Sequence, residues 1–362
     1  MPRRFASGEK DVTEMQVKRA VRDLKPYEPN EMPYRIKLDA NESANYLFPE
    51  GFRLDTVDLN RYPDSAARIL RAQMAQTYGV KDDQLIVGNG SSEMLELILK
   101  TYVEPGAVVL SLEPSFVMYK VYGTIHNAHF EPVPLREDFN VDLDALLQAI
   151  HRLKPAVTFL CSPNNPTGLR IEVAVIEAVL AATEGIVVLD EAYIEFASSA
   201  VSQASKTSET PNLIVLRTMS KAYGLAGARV GCLIAHPDRV KAMNAVKSPY
   251  NLNTLSQNVA GLALRQTEAF TTYIAGVKAR RETLFEGLKR WPLTVWPSEA
   301  NFVFFHSPLE DLGARLAARG VLIRAFGGSL AGYYRVTVGN DTEITHFFTA
   351  MEEVFDHASS YR

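Results

Sequence analysis

Ile186-Val187-Val188-Leu189-Asp190-Glu191-Ala192-Tyr193 decides how the rest of the chain is read. Its first four residues are continuously apolar, as expected of a strand covered on both faces of a sheet. To either side, short β-branched runs alternate with amphipathic segments. The runs predict strands at Leu85–Val87, Val108–Ser111, Val157–Cys161, Leu213–Leu216 and Val230–Ala235. Between them the spacing predicts helices at Ser65–Tyr78, Ser92–Thr101, Leu143–Arg152 and Val173–Thr183. Such alternation marks βαβ units, so an α/β domain with a mainly parallel sheet flanked by helices is expected.

After Pro249 the character changes. One long helix is predicted from about Asn253 to Trp291. Strands follow at Leu293–Trp296 and Phe302–Phe305, a helix at Leu309–Arg319, strands at Val321–Arg324 and Tyr334–Val338, and a last helix. This tail reads as a smaller α+β domain. The first residues read as an arm, with one helix over Val12–Leu24 and a proline-broken KPYEPNEMPY. The division expected is an arm at 1–35, a large domain at 48–250, and a small domain built from 36–47 with 251–362.

A chain of 362 residues is long enough for two cores, and 47% hydrophobic with 22% charged residues is the balance of a globular protein. The net charge of −4 is spread over mixed signs, so no nucleic-acid footprint stands out. No apolar run approaches the roughly 20 residues that span a bilayer, and MPRRF is not followed by a signal-type apolar segment. Cys161 and Cys232 lie in no metal or redox spacing, so no metal is expected and a reducing cytoplasm fits.

Chemistry is concentrated where the predicted strands end. Lys221 lies in Arg217-Thr-Met-Ser-Lys221, just past a buried strand in a loop of small residues. A partly desolvated amine there has a lowered pKa and can form an imine with an aldehyde. Thr218, Ser220 and Arg229 offer two hydroxyls and a guanidinium to a phosphate. Taken alone, Ser-Lys is as well explained by a surface lysine beside a helix cap. Asp190 ends a wholly apolar strand, where a carboxylate needs a positive partner such as a protonated pyridine nitrogen. It also fits a helix N-cap, and the motif by itself does not choose. Tyr193 could donate to a phenolate oxygen beside that nitrogen's ring. Asn165, in Ser162-Pro-Asn-Asn165-Pro-Thr-Gly168, could donate to the same oxygen or simply belong to a tight turn. Gly88-Asn-Gly90-Ser91-Ser92 joins a strand to a helix, a ready place for an anion, though such loops also cap helices everywhere. Phe116 could stack on a flat cofactor or pack in a core. What speaks for function is the order: all five groups fall at strand ends, on one edge of the sheet, where doubly wound folds bind ligands.

These residues, in this order, resemble the fold-type I pyridoxal-phosphate (PLP) enzymes, and specifically the histidinol-phosphate aminotransferase family. The likeness covers nearly the whole chain: KPYEP, KLDANES at 37–43, RYPD at 61–64, SPNNPTG, LDEAYIEF, TMSKAYGLAGARVG, LIRAF at 322–326 and YYRVTVGN at 333–340. The resemblance implies a PLP cofactor held as an internal aldimine on Lys221, which also shuttles protons. It implies Asp190 on the pyridine nitrogen, Asn165 and Tyr193 on the phenolate oxygen, Phe116 on the ring face, and Ser91, Ser92, Thr218, Ser220 and Arg229 on the phosphate. Phe116 stands where relatives often carry tyrosine, and Ser92 where they commonly carry aspartate. Tyr62 would reach the phosphate of a neighbouring subunit, which implies a homodimer with shared active sites. Arg335, with Arg324 as a second arginine, Tyr27 and Asn41, would bind small anionic amino-acid or amino-phosphate substrates. The arm and tail would close over the large domain on binding them.

The implied reaction is ping-pong transamination between glutamate/2-oxoglutarate and histidinol phosphate/imidazole-acetol phosphate in histidine biosynthesis. An aromatic or broad-specificity aminotransferase and a phosphothreonine decarboxylase are alternatives on the same scaffold. A non-catalytic PLP-binding regulator is disfavoured, because no helix-turn-helix is appended and no catalytic residue is missing.

Overall fold

Every residue of Ile186–Asp190 is buried, and the strand divides its side chains between two cores. Val187 and Leu189 pack into one, Ile186 and Val188 into the other. A strand with no wet face has no reason to alternate polar with apolar residues, hence the continuous run.

The computed structural model describes residues 18–22, 24–25, 32–44, 57–198 and 202–359. In chain order the elements are β1 (Ile36–Leu38), α1 (Arg68–Tyr78), β2 (Leu85–Asn89), α2 (Gly90–Tyr102), β3 (Val108–Glu113) and α3 (Met118–Ile125). Next come β4 (His129–Pro134), α4 (Leu143–Leu153), β5 (Val157–Cys161), α5 (Val173–Ala182), β6 (Ile186–Asp190), β7 (Leu213–Thr218), β8 (Val230–Ala235) and α6 (Pro237–Val246). The remainder is α7 (Thr254–Leu264), α8 (Thr267–Leu288), β9 (Thr294–Val295), β10 (Phe302–His306), α9 (Leu312–Ala317), β11 (Val321–Ala325), β12 (Tyr333–Thr337) and α10 (Asp341–Ser359).

Seven strands form one sheet in the order β2-β8-β7-β6-β5-β3-β4. The pairs from β4 through β3, β5 and β6 to β7 are parallel. Only β8 is reversed, antiparallel to β7 on one side and to β2 on the other. Consequently β2, β3, β5, β6 and β7 all end on the same edge, and β8 begins there. The second sheet has the order β1-β11-β12-β10-β9 and is antiparallel except where β1 joins β11. The expected α/β fold with a mainly parallel sheet is what the chain forms.

Local readings differ in several places. The long helix expected from Asn253 is two, α7 and α8, because Gln266 leaves helical geometry at ψ 51° with no glycine or proline to announce it. Strand β4 escaped notice because two of its six residues are prolines, which an edge strand tolerates. Helices α3 and α6 are short, and α6 opens on Pro237, a good first helical residue but an ambiguous breaker in sequence. Of the helix expected over Val12–Leu24, the described part holds only a single 3₁₀ turn at Arg19–Val21. Among the described residues no helix is long and apolar enough to cross a membrane.

Candidate active site

The anion cup comes first. Helix α2 begins at Gly90, whose φ of +77° brings backbone N–H groups to the ligand edge. A Cβ on Gly90 would lie 2.6 Å from Nη2 of Arg229, so the missing side chain is what lets the guanidinium sit against the helix N-terminus. Gly231, at the start of β8, is equally constrained: its Cβ would meet the Ser91 amide at 2.4 Å. Ser91 and Ser92 are half-buried in the first turn, and Arg229 is exposed beside them. Thr218 Oγ1 accepts from the Ser220 amide at 3.2 Å, which folds the loop after β7 toward the same cup. Helix dipole, unpaired first-turn amides and a guanidinium together suit a phosphate.

Lys221 follows directly. It is half-buried and donates to the Ala40 carbonyl at 3.1 Å. Desolvation, then the nearby charge of Arg335 and also that of Arg229, pull its pKa down to about 8. Its Nζ stands 5.9 Å from the centre of the Tyr193 ring.

Asp190, at the end of β6, is 4% exposed. Burial raises its pKa, opposed by hydrogen bonds from Tyr119 and the Ala192 amide and by the charge of Lys221. Tyr119 donates to one carboxylate oxygen at 2.8 Å and the Ala192 amide to the other at 3.1 Å. A buried carboxylate with these donors fits a cationic ring N–H.

Two further donors are oriented by what they accept. Arg335 donates to Asn165 Oδ1, which leaves the Asn165 NH₂ to give away. Thr337 donates to Asn41 Oδ1 at 3.3 Å, so Asn41 presents its NH₂ to the Tyr193 hydroxyl oxygen at 3.1 Å. Tyr193 thereby keeps its own proton for a further acceptor. Burial pushes its pKa up to about 12, with Arg335 acting against the rise. Asn41 is held by these contacts and by Asn301, which donates to its carbonyl, so the structure puts its amide on Tyr193. Arg335 also donates to the Asp39 carbonyl at 2.7 Å.

Arg324 on β11 lies directly across from Arg335 on β12, and is half-buried near the Phe326 ring. Phe116 is half-buried and meets Tyr119 edge-on at 5.5 Å. Tyr62 is 80% exposed and stacks on Tyr250, ring centres 4.5 Å apart. Tyr27 falls outside the described residues.

Sequence reasoning missed the residues that brace these groups. Tyr119 on Asp190 could have been noticed one helical turn after Phe116. Ser115 on Asn164, which ties the loops after β3 and β5 at 2.8 Å, gave no signal. Neither did Asn301 and Thr337, which lie about 260 and 296 residues from Asn41.

The set can therefore bind a phosphate, pair a ring cation, offer two further hydrogen-bond donors and deliver an amine of depressed pKa. The family model for aminotransferase class I and II matches residues 29–351. Histidinol-phosphate aminotransferase 1 of Carboxydothermus hydrogenoformans is 38% identical over 345 residues, covering 93% of this chain and 98% of that one. The histidinol-phosphate aminotransferase of Thermoanaerobacter sp. is 39% identical over 347 residues, again covering 93% and 98%. Among solved structures, the histidinol-phosphate aminotransferase of Sinorhizobium meliloti in complex with pyridoxal-5'-phosphate superposes with a TM-score of 0.88 at 25% identity, covering 95% of this chain and 98% of that one. The chain belongs to the class I and II aminotransferases and, within them, to the histidinol-phosphate aminotransferase family.

Proposed function

We propose that the protein is a PLP-dependent histidinol-phosphate transaminase, moving an amino group between glutamate/2-oxoglutarate and histidinol phosphate/imidazole-acetol phosphate in histidine biosynthesis. The observation that carries this reading is the placing of Lys221, whose pKa of about 8 is depressed in part by Arg335 and Arg229 together. Arg229 belongs to the anion cup and Arg335 to the second sheet, so the amine feels a guanidinium from each of the two sheets.

When bound, PLP supplies an electron sink for the pair left as an amino acid loses its α-proton. The residues supply the rest. The Gly90–Ser92 amides with Arg229, Thr218 and Ser220 hold the phosphate; Asp190 balances the ring cation; Asn165 and Tyr193 donate to the phenolate oxygen; Phe116 covers a ring face. Lys221 anchors the cofactor, then serves as base and acid in the proton shift, a role worth about 10²–10⁴ in rate. Arg335 takes the glutamate α-carboxylate, and Arg335 with Arg324 takes the phosphate of histidinol phosphate. Asn41 lines the substrate's place beside Tyr193, and Tyr27 adds a hydroxyl from the arm. On this reading 48–250 form the large domain and 36–47 with 251–362 the small one. The protein works as a homodimer in the cytoplasm, with Tyr62 serving the neighbour's phosphate site, and the two free buried thiols fit that compartment.

The test is a visible spectrum of the PLP-loaded protein during titration. Histidinol phosphate should abolish the cofactor band and 2-oxoglutarate should restore it. A band that ignores histidinol phosphate but answers phenylalanine would replace the substrate assignment, and carbon dioxide release from phosphothreonine would replace the reaction. Failure to take up PLP at all would end the reading.

A further inference from the structure

Tyr119 has no part in the chemistry assigned so far, yet it is 1% exposed and its hydroxyl lies 2.8 Å from Asp190 Oδ2. Its ring is fixed on both sides. It stacks on Phe159 of β5 with centres 4.6 Å apart and planes within 3°, and it meets Phe116 edge-on. The hydroxyl is therefore aimed by packing, and it belongs to the turn of α3 that follows Phe116.

The groups around the Asp190 carboxyl can be named from each neighbouring element. Tyr119 comes from α3, the Cys161 thiol from β5, Tyr193 from the loop after β6, and Lys221 from the loop after β7. The thiol donates instead to the Pro163 carbonyl at 3.4 Å. Apart from the Ala192 amide, Tyr119 is thus the neutral donor committed to this carboxylate. Burial, and then the charge of Asp190, hold the Tyr119 proton firmly in place, so it remains a donor through neutral and moderately alkaline pH.

We propose that Tyr119 is a positioning residue for the cofactor: it keeps the Asp190 carboxylate ionised and turned toward the ring nitrogen. This rests on the assignment of Asp190 to that nitrogen. A carboxylate raised in pKa by burial would otherwise share or lose its negative charge, and the cation opposite it would be held less well. Tyr119 touches neither substrate nor reacting atom; it acts through Asp190.

The experiment is a four-member set, wild type, Tyr119→Phe, Asp190→Asn and the double variant, with PLP dissociation constants measured by equilibrium titration of the apoproteins. Phenylalanine preserves the stack on Phe159, and the melting temperature of each apoprotein reports whether packing survives. Tyr119→Phe should bind PLP about tenfold more weakly, as expected for one lost hydrogen bond to a charged group. In the Asp190→Asn background the same change should cost little further affinity. An unchanged constant for Tyr119→Phe, or equal losses in both backgrounds, overturns the proposal while leaving Asp190 in its role. A wild-type constant for Asp190→Asn overturns the assignment of Asp190 itself, and the proposal with it. Should Tyr119→Phe fail to fold, Tyr119→His gives the second arm: a PLP constant as weak as that of Asp190→Asn overturns the proposal, and one near wild type upholds it.

Discussion

Arg324 and Arg335 are direct partners across the antiparallel β11–β12 pair, two like charges on one face of the second sheet. Directly opposed like charges destabilise a sheet. A dianion between them would turn that penalty into binding. Arg335 already donates to Asn165 and to the Asp39 carbonyl, so Arg324 is the arm with more freedom to respond to the larger anion. Arg324→Gln should raise the KM for histidinol phosphate about tenfold or more, from the loss of a charge-assisted hydrogen bond, with a smaller effect on glutamate. Steady-state kinetics with both donors decides it; equal effects on the two would remove Arg324 from phosphate recognition.

Lys221 gives a pH-dependent prediction. Its pKa is about 8 in the fold against 10.5 ordinarily, so between those values the unfolded chain binds more protons and stability rises with pH. Below about 8 the charged amine is a full burden on the fold. Lys221→Met should therefore stabilise the apoprotein near pH 7, and the advantage should shrink as pH rises toward 10. Urea unfolding at both ends of that window checks the sign. The same variant should lose at least about 10²-fold in transamination rate.

Tyr193→Phe would remove one of the two donors proposed for the cofactor's phenolate oxygen, while Asn41 loses the acceptor it now holds. The visible absorption of the loaded protein should then change with pH at a higher value than in wild type. With one donor gone the oxygen keeps more of its negative charge, which favours the protonated form of the nitrogen beside it. A spectrophotometric titration that moves the other way, or not at all, would take Tyr193 off that oxygen.

Gly90→Ala forces an L-residue into the left-handed region, at about 1–2 kcal/mol, and pushes against the end of the Arg229 side chain. Arginine can swing aside, so the protein should fold. PLP affinity should fall about tenfold as the guanidinium leaves the cup, read by equilibrium titration. Unchanged affinity would show that Arg229 contributes nothing there.

Tyr62 can be assigned to its own or its neighbour's site by mixing subunits. If it acts across a dimer, co-expressed Tyr62→Ala and Lys221→Ala chains form hybrids with one intact site, and activity returns. Within a single chain the hybrid would have no intact site, and the mixture would be no better than the Tyr62→Ala protein.

How far the sequence could be read follows from what each signal depends on. Asp190, Lys221, Asn165 and the Gly90 loop were legible because each is tied to the end of its own strand, and a strand buried on both faces shows as an unbroken apolar run. Tyr119 was hidden because its partner lies 71 residues away and only the parallel neighbours β3, β5 and β6 bring them together. The Arg335–Asn165 bond was hidden more deeply, since it joins the two sheets over 170 residues. The break at Gln266 is a change of one dihedral with no glycine or proline at the break to mark it.

The reversal of β8 has one more consequence. Because β7 ends and β8 begins at the same edge, Lys221 and Arg229 sit on a single excursion between adjacent strands. That excursion is closed at its base by the Met219 amide on the Val230 carbonyl at 2.9 Å, and tightened within by Leu225 on Met219 at 3.0 Å. After β2 the chain passes straight from Asn89 into α2 at Gly90, and after β3 it runs on into α3. The β7–β8 excursion is a buckle of set length, and an insertion anywhere between the two residues would shift one fastening while leaving the other in place.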